Sequence, residues 1–429
     1  MRYEPIDRAL FESNRKKLVD QLKPKSIVVM LSNDLLPLSG DGRLPFIQHS
    51  DFFYLTGVDQ PDCAIILMPD FPDEELREVL FIKESNEATL TWEGTKINKE
   101  EGADISGIQK VIWYSQFEQF FKNALPHVEN IYLDFNENPK HDGAYLLANE
   151  RFAGKCVSDY PLLNFERLAP ILTSQRMIKS PLEIHLIRNA GLITKMGYER
   201  VLGFIKPGVW EFEIEAEFGY EFIRNRSKGF AYSPIVASGE NACVLHYEEN
   251  NKQCIDGDLV LLDVAAEYAN YKSDVTRTYP VNGKFNKRQR EVYQAVLNVK
   301  KEAEKLLRPG ITLKDYNAEV AKIMEDELIK IRLLNKKDIA DQDPQKPLYK
   351  KYFMHSTSHH LGLDVHDISN QYKAIKAGMV FTVEPGIYIK EEGIGIRLED
   401  DIFVDKKQNT NLTPDIPIEV DEIEDFMNT

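Results

Sequence analysis

The sequence predicts two domains of different fold class, an α/β domain over residues 1–172 and an α+β domain over residues 173–429. Three observations support this prediction. Short apolar runs alternate with helical stretches in the first part of the chain, a long capped helix begins near residue 180, and pairs of strand-like segments follow it. A chain of 429 residues also has the length of two or three ordinary domains.

In the first domain, four short apolar runs have the length and the flanking turn residues of buried strands. They are Ser26–Leu31, Cys63–Met68, Val79–Ile82 and Ile131–Phe135. The stretches Asp7–Leu22 and Gln116–Leu125 have the apolar spacing of helices. Neither of the common glycine-rich phosphate motifs, GxGxxG or GxxxxGK(S/T), occurs here, so the sequence gives no support for a nucleotide site.

The second domain is predicted to begin with a long helix whose start is marked by Ser180-Pro181-Leu182-Glu183. Serine at the N-cap, proline at the first helical position and glutamate at the third form a capping box. The sequence Lys206-Pro207-Gly208 ends this helix near Ile205. Further helices are predicted at Glu211–Arg226 and Lys287–Leu307, and a surface excursion at Lys330–Tyr352.

Two strand pairs are predicted in the remainder of the second domain. Leu259–Val264 and Ser273–Thr278 flank a short connection and are expected to form a hairpin. Met379–Ile389 and Ile394–Val404 are expected to form the second pair, around the turn Glu391–Gly393. The second domain is therefore expected to combine helices with antiparallel strands.

Composition excludes several classes of protein. Hydrophobic content of 43% and charged content of 28% are ordinary for a globular chain, so wholesale disorder and a collagen-like structure are excluded. A formal net charge of −16 opposes binding to phosphate backbones and anionic lipid, so neither nucleic acid nor membrane is expected as a partner. No apolar run approaches the ~18 residues that span a bilayer. The start of the chain lacks a secretory signal, and four scattered cysteines are typical of reduced thiols, so a cytoplasmic location is expected.

Acidic residues interrupt apolar strand-like runs. Asp263 ends the run Leu259–Leu262, and Glu384 ends the run Val380–Val383. An ionised carboxylate is costly to bury unless it is paired with a cation or binds a metal. Asp274 is expected to face Asp263 across the hairpin, an arrangement that two like charges favour only with a cation between them.

A further group of acids follows Arg397. Arg397 and Glu399 are two residues apart on one predicted strand and should share a face. Periodicity does not decide which of Glu399, Asp400 and Asp401 points inward. An alternative to metal binding is a set of buried ion pairs, with Arg397 and Arg277 as the partners of the acids.

Four of the nine histidines lie within twelve residues, at positions 355, 359, 360 and 366. The segment lacks the glutamate of an HExxH zinc helix. Histidines that hydrogen-bond around a buried turn are the alternative interpretation. Four strand-borne carboxylates with one imidazole would form a hard, oxygen-rich ligand set, which favours Mn²⁺ or Mg²⁺-like ions. Four negative charges match two divalent ions, an arrangement suited to amide hydrolysis.

Five candidate ligands stand in the order Asp263, Asp274, His359, Glu384 and Glu399. They occur in the segments LLDVAAEYANYKSDVTRTYP, SHHLGLDVHD, FTVEPGIYI and GIRLEDDIFV, and His246 occurs in LHYEEN. These segments resemble the metallopeptidase family with the pita-bread fold, which includes methionine aminopeptidase, prolidase and aminopeptidase P. In the first domain, HSDFFYLTGVDQPDC resembles the amino-terminal domain of aminopeptidase P.

The resemblance implies a pita-bread catalytic domain over residues 173–429, with two divalent ions per chain, Mn²⁺ being favoured. Asp274 and Glu399 would bridge both ions, Asp263 would bind one ion, and His359 and Glu384 would complete the other. A metal-bridged hydroxide would be the nucleophile, and Glu384 would also move a proton from it to the leaving nitrogen.

The resemblance also implies the residues that contact substrate. His246 and His366 would hold the substrate carbonyl and stabilise its oxyanion, while His355, Tyr388 and Arg397 would line the pocket and fix the ligands. Arg397 is thereby counted with the catalytic group. For His360, packing is expected rather than ligation. Relatives of this kind form dimers or tetramers, so a homo-oligomer is expected.

The implied activity is that of a Xaa-Pro aminopeptidase, which acts on peptides whose second residue is proline. The alternative enzyme is a prolidase, which accepts only Xaa-Pro dipeptides. Ser358 precedes His359 where prolidases tend to have glycine, which favours the aminopeptidase. A catalytically inactive pita-bread binding module is the alternative from another class, and the presence of all five ligands opposes it.

Overall fold

The computed structural model describes residues 2–138 and 143–428. Their contacts divide into two units, one from Tyr3 to Arg176 and the other from Met177 onward. The boundary predicted after residue 172 falls within the helix Ala169–Arg176. Among the helices of the described residues, none has both the length and the apolar character that crossing a bilayer requires.

The amino-terminal unit alternates strands and helices. Its strands are β1 (Ser26–Leu31), β2 (Pro37–Ser39), β3 (Gly42–Arg43), β4 (Ala64–Leu67), β5 (Glu78–Ile82), β6 (Lys110–Trp113), β7 (Asn130–Leu133) and β8 (Asn164–Arg167). Its helices are α1 (Ala9–Val19), α2 (Ser50–Thr56), α3 (Glu87–Glu93), α4 (Lys99–Ser106), α5 (Phe117–Ala124), α6 (Ala148–Asp159) and α7 (Ala169–Arg176).

One mixed sheet organises this unit, with the strand order β6-β5-β4-β1-β7-β8. The strand β1 pairs antiparallel with β4 and parallel with β7, and it is buried along its whole length. The four strands predicted from apolar runs all lie in this sheet, as β1, β4, β5 and β7. Phe81, Phe117 and Phe121 pack in the core on one side of it.

The carboxy-terminal unit contains longer helices and shorter sheets. Its helices are α8 (Pro181–Leu202), α9 (Glu211–Arg224), α10 (Lys287–Leu306), α11 (Leu313–Lys330), α12 (Lys336–Ala340) and α13 (Val420–Met427). Its strands are β9 (Ile235–Ser238), β10 (Leu259–Asp263), β11 (Glu267–Tyr268), β12 (Tyr271–Lys272), β13 (Thr276–Pro280), β14 (Val380–Val383), β15 (Gly386–Ile389), β16 (Ile394–Arg397), β17 (Asp400–Phe403) and β18 (Thr410–Asn411). The predicted surface excursion contains α12, and α11 was not predicted.

The helix α8 begins as its sequence indicates. Ser180 Oγ accepts from the backbone N–H of Glu183, and the Glu183 side chain accepts from the backbone N–H of Ser180. The helix then packs against α9, where Gly197 allows close approach. A Cβ at Gly197 would lie 2.6 Å from the ring of Phe222, so a larger residue would push the two helices apart.

The strands depart from the prediction at three places. The strand β10 pairs antiparallel with β13 in a register that sets Asp263 opposite Thr276, so Asp274 lies just before the strand rather than on it. The predicted strand Met379–Ile389 is divided at Glu384-Pro385, because proline has no N–H for a ladder. The predicted strand Ile394–Val404 is also divided, into β16 and β17. As a result β14 pairs with β17, and β15 pairs with β16.

Candidate metal centre and active site

The predicted ligands lie where strands of the carboxy-terminal unit end. They are Asp263 at the end of β10, Asp274 just before β13, His359 beside β14, Glu384 directly after β14 and Glu399 between β16 and β17. Hydrogen bonds to Thr382 fix the position of His359, whose backbone N–H donates to Oγ1 at 3.2 Å and whose carbonyl accepts from the backbone N–H at 3.0 Å. The strand breaks that sequence periodicity did not predict therefore occur at the ligand positions.

Asp274, His359 and Glu399 form the centre of this group. One ligand atom from each lies within 4.8 Å of the others. His359 Nε2 lies 3.4 Å from Asp274 Oδ2 and 3.7 Å from Glu384 Oε1. The residues Asp274 and Glu399 are 5% and 2% exposed, respectively. Three carboxylates and one imidazole thus gather together, with Asp274 and Glu399 buried and with His359 and Glu384 partly exposed.

Asp263 stands beside this centre and is held by two hydrogen bonds. Tyr232 OH donates to Oδ1 at 2.6 Å, and Arg397 Nη2 donates to Oδ2 at 2.6 Å. Burial raises the pKa of Asp274 and of Glu399, and the charge of Asp263 raises both further, which places the three carboxylates in one electrostatic group. Sequence reasoning missed Tyr232, because a tyrosine in a loop carries no spacing that predicts such a contact.

The electrostatics of the site are those of crowded acids. Burial raises the pKa of Glu384 to about 7, with the charge of Asp274 adding to the rise and that of His359 opposing it. Burial lowers the pKa of His359, but its hydrogen bond to Asp274 and the charge of Glu384 outweigh this and raise it to about 9. Buried carboxylates at this separation repel one another until protons or cations neutralise them.

The donor set fits divalent cations. It offers four carboxylates and one imidazole, a hard ligand set that suits Mn²⁺ and Mg²⁺-like ions better than metals that prefer thiolates. Neutralising the carboxylates with divalent ions would remove the repulsion that contributes to the raised pKa values of Asp274, Glu384 and Glu399. The residues present are therefore of the kind that hold divalent metal ions.

The three acids that follow β16 have different surroundings. Glu399 Oε2 accepts from Thr276 Oγ1 at 2.6 Å and belongs to the ligand group. Asp400 is instead buried between two cations, 2.6 Å from Arg277 Nη2 and 2.5 Å from Lys300 Nζ. Arg277 therefore pairs with Asp400, which is not a predicted ligand.

The third acid, Asp401, supports a ligand without joining the ligand group. It accepts from Ser273 Oγ at 2.8 Å and from the backbone N–H of Asp274 at 3.2 Å. This carboxylate thereby fixes the loop that presents Asp274. Of the alternative set of buried ion pairs, the contact of Arg397 with Asp263 is the one that involves a predicted ligand. One arginine cannot neutralise four carboxylates, so the ion-pair alternative does not account for the site.

A hydrogen-bonded chain joins the predicted pocket residues to the predicted ligand Asp263. Tyr388 OH accepts from Arg397 Nη1 at 2.8 Å and lies 2.9 Å from His355 Nε2. His355 Nδ1 lies 2.8 Å from the carbonyl of Ser356, so a proton on Nδ1 leaves Nε2 as the acceptor for Tyr388. Burial and the charge of Arg397 lower the pKa of His355 to about 4, which keeps this ring neutral near neutral pH.

The remaining predicted histidines lie at different depths. The ring of His366 lies 4.3 Å from that of His359, at an interplanar angle of 71°. His246 is exposed, and its electrostatic interaction with His355 contributes to lowering the pKa of His355. His360 is buried and packs 4.1 Å from an aromatic ring of β14.

Comparisons with known proteins agree over the whole chain. The profile of metallopeptidase family M24 matches residues 185–406, and that of the aminopeptidase P amino-terminal domain matches residues 11–132. The Xaa-Pro aminopeptidases of Escherichia coli and Haemophilus influenzae are 34% and 35% identical, covering 98% and 97% of this chain and the same shares of their own lengths. A structure of zinc-substituted E. coli aminopeptidase P in complex with product superposes with a TM-score of 0.88 at 33% identity, over 99% of each chain. The predicted fold class, an α/β domain followed by an α+β pita-bread domain, is confirmed.

Proposed function

This chain belongs to metallopeptidase family M24, and from that premise we propose that it is a Xaa-Pro aminopeptidase, a metal-dependent exopeptidase that releases the first residue of a peptide when proline is second. The observation that carries the proposal is the gathering of the predicted ligands around Asp274, His359 and Glu399 in a chain that matches Xaa-Pro aminopeptidases over nearly its full length. A binding module without catalysis would have no need of this crowded acidic group.

The metal-holding residues follow from the donor set. Asp274, Glu399, Asp263, His359 and Glu384 would hold the divalent ions, with Asp274, His359 and Glu399 at the centre of the group. Divalent ions bound there activate a water molecule and polarise the scissile carbonyl. We propose Mn²⁺ as the metal, because oxygen ligands dominate the set.

Glu384 is the proposed proton carrier. A leaving prolyl nitrogen must be protonated to depart, so a donor is required beside the scissile bond. In the metal-free protein burial raises the pKa of Glu384 to about 7. In the metal-loaded enzyme this carboxylate would take a proton from the attacking water and release it to the leaving nitrogen. The charges of Asp274 and His359 act on this pKa in opposite directions, and burial sets its upward direction.

The histidines and the tyrosine–arginine pair act on the substrate. His246 and His366 are proposed to donate hydrogen bonds to the carbonyl and to the oxyanion that forms from it. Tyr388 and His355 line the pocket, and Arg397 fixes both Tyr388 and Asp263 through its two terminal nitrogens. This arrangement requires a rigid arginine, and Arg397 is buried.

The proposed substrate is a peptide longer than a dipeptide, and prolidase activity is the competing proposal. A prolidase must neutralise the free carboxylate of a dipeptide, whereas an open pocket gains transition-state contacts from a third residue. The test is kcat/KM for Xaa-Pro, Xaa-Pro-Yaa and Xaa-Ala-Yaa at one Mn²⁺ concentration. The tripeptide with proline should be cleaved best. Cleavage confined to Xaa-Pro would assign a prolidase, and indifference to proline would assign a broad aminopeptidase.

Two further properties are proposed with the activity. Three buried free cysteines and a fourth that is half-buried are consistent with the reducing environment of the cytoplasm. A dimer or tetramer is proposed for the quaternary state, and light scattering of the purified protein would measure it. A monomer at working concentrations would contradict the second proposal without affecting the site.

A further inference from the structure

A buried carboxylate outside the ligand group, that of Glu211, is saturated with hydrogen bonds. Glu211 is the first residue of α9 and has no exposed surface. Its Oε1 accepts from the backbone N–H and the hydroxyl of Ser238, both at 2.7 Å. Its Oε2 accepts from Tyr247 OH and from the backbone N–H of Lys252, both at 2.8 Å. A buried charge is tolerated when donors fill its oxygens in this way.

The donors belong to the segment that carries His246. Ser238 ends β9, Lys252 closes the loop that follows, and Tyr247 is the immediate neighbour of His246. Tyr247 is buried and packs in one apolar cluster with Tyr388, the pocket residue that bonds His355. The Glu211 carboxylate therefore accepts hydrogen bonds from the start, the middle and the end of the segment that carries His246.

The His246 ring itself has little to hold it. Its side chain is exposed, and in the part of the chain that the structure describes it makes no hydrogen bond. Its position is therefore set by the backbone around it. The turn just before it packs closely against β16, since a Cβ at Gly395 would lie only 2.2 Å from the carbonyl oxygen of Ala242.

We propose that Glu211 and Tyr247 are positioning residues, which hold the His246 imidazole at the substrate carbonyl without touching substrate. The proposal rests on the proposed function, because that function gives His246 its role. A displacement of about 1 Å in a group that contacts the reacting carbonyl costs up to ~10²-fold in rate. A fully bonded carboxylate behind the segment is a way to prevent such displacement.

A double-mutant cycle on kcat/KM tests the proposal with the metal-loaded enzyme and a Xaa-Pro-Yaa peptide. Tyr247→Phe removes one donor to Glu211 and should lower kcat/KM about tenfold, as the loss of a supporting hydrogen bond typically does. In a His246→Ala background the same change should cost less than about twofold, because the ring that it positions is gone. Equal losses in both backgrounds, or no loss in either, would overturn the proposal. Glu211→Gln should act in the same direction, but Tyr247→Phe is the safer variant because it leaves the carboxylate in place.

Tyr293→Phe is the matched control, since Tyr293 is a buried tyrosine of α10 whose hydroxyl donates to the carbonyl of Ile418 at 2.8 Å. The Tyr293→Phe variant should be less stable than the wild type and should keep the same kcat/KM. An independent readout is the NMR signal of His246 in protein with labelled histidine, identified by its absence in His246→Ala. Tyr247→Phe should move this signal and Tyr293→Phe should not. An unmoved signal would overturn the positioning, whereas a moved signal in an enzyme that cleaved no Xaa-Pro peptide would uphold it and overturn the proposed function alone.

Discussion

At the scale of single residues, neighbouring side chains of the site have different surroundings and therefore different tasks. His359 Nε2 and Glu384 Oε1 lie 3.7 Å apart. The imidazole is hydrogen-bonded to Asp274, whereas burial raises the pKa of the Glu384 carboxylate to about 7. His359 is proposed as a metal ligand alone, whereas Glu384 is proposed both as a ligand and as the group that passes a proton to the leaving nitrogen.

Substitutions of the histidines should separate metal binding from substrate binding. His359→Ala should lose metal, because it removes the imidazole at the centre of the ligand group. His246→Ala and His366→Ala should keep metal and lower turnover by ~10²–10³, about 2.7–4 kcal/mol, the usual cost of an oxyanion donor. Metal analysis and kcat on the same preparations would measure both. Metal loss in His366→Ala as complete as in His359→Ala would show that the two roles are wrongly divided.

The raised pKa values predict that metal uptake releases protons. With a pKa of about 7, Glu384 in the metal-free protein is largely protonated at pH 6 and largely ionised at pH 8. For this one proton, the apparent metal affinity should rise about tenfold between those values, since binding requires the ionised ligand. Calorimetry in buffers of different ionisation enthalpy would count the protons, and at pH 6 Glu384→Gln should release about one fewer than the wild type. An affinity that did not change between pH 6 and pH 8 would contradict the prediction.

The same raised pKa values determine whether the metal-free protein becomes more or less stable as the pH rises. The pKa of Glu384 is raised in the folded state, so its contribution to stability is present below the ordinary value of 4.5 and is lost as the pH rises through about 7. His359, raised to about 9, acts in the same direction, with its contribution lost as the pH rises through that value. Metal should therefore raise the melting temperature more at alkaline than at acid pH.

At the scale of elements, the site depends on strand breaks whose positions the chain's periodicity does not reveal. Alternation predicted a strand through Met379–Ile389, and the fold divides it at Glu384-Pro385. The acids at the strand ends could be predicted, because a carboxylate in an apolar run is conspicuous. Tyr232 and Asp401 could not, because each contacts its ligand from a distant segment and carries no local pattern. Long-range partners of this kind require the fold itself.

Between β16 and β17, the proposed ligand Glu399 lies next to a buried charge network. Arg277 donates to the Glu399 carbonyl at 2.5 Å, and Asp400 neutralises both Arg277 and Lys300. Lys300→Met should lower the free energy of unfolding by about 3 kcal/mol, because it removes one partner of a buried charge cluster. Lys301→Met is the matched control, since its pair with Glu419 is exposed and worth below ~1 kcal/mol. Urea unfolding would compare them, and equal losses would show that the network does not stabilise this junction.

At the scale of the whole molecule, the chain combines a strongly acidic surface with an acidic centre. The net charge of −16 favours the approach of divalent cations and opposes phosphate polymers. The likeness to Xaa-Pro aminopeptidases covers 98% of both lengths for the E. coli protein, so it includes the amino-terminal unit as well as the catalytic one. The order of the candidate ligands predicted the fold family of the second unit. In the first unit, the apolar runs predicted the four central strands of the six-stranded sheet, but not its mixed pairing.

The most direct test of the account is a manganese titration of the chelated protein, with bound metal and hydrolysis of a Xaa-Pro-Yaa peptide measured on the same samples. The wild type should be inactive without metal and should reach full activity as occupancy approaches two ions per chain, because four carboxylates and one imidazole are gathered to hold them. Asp274→Asn, which removes charge from the proposed bridge, should hold fewer ions and stay nearly inactive at the same manganese concentration. Full hydrolysis by exhaustively chelated wild-type protein would contradict the central claim.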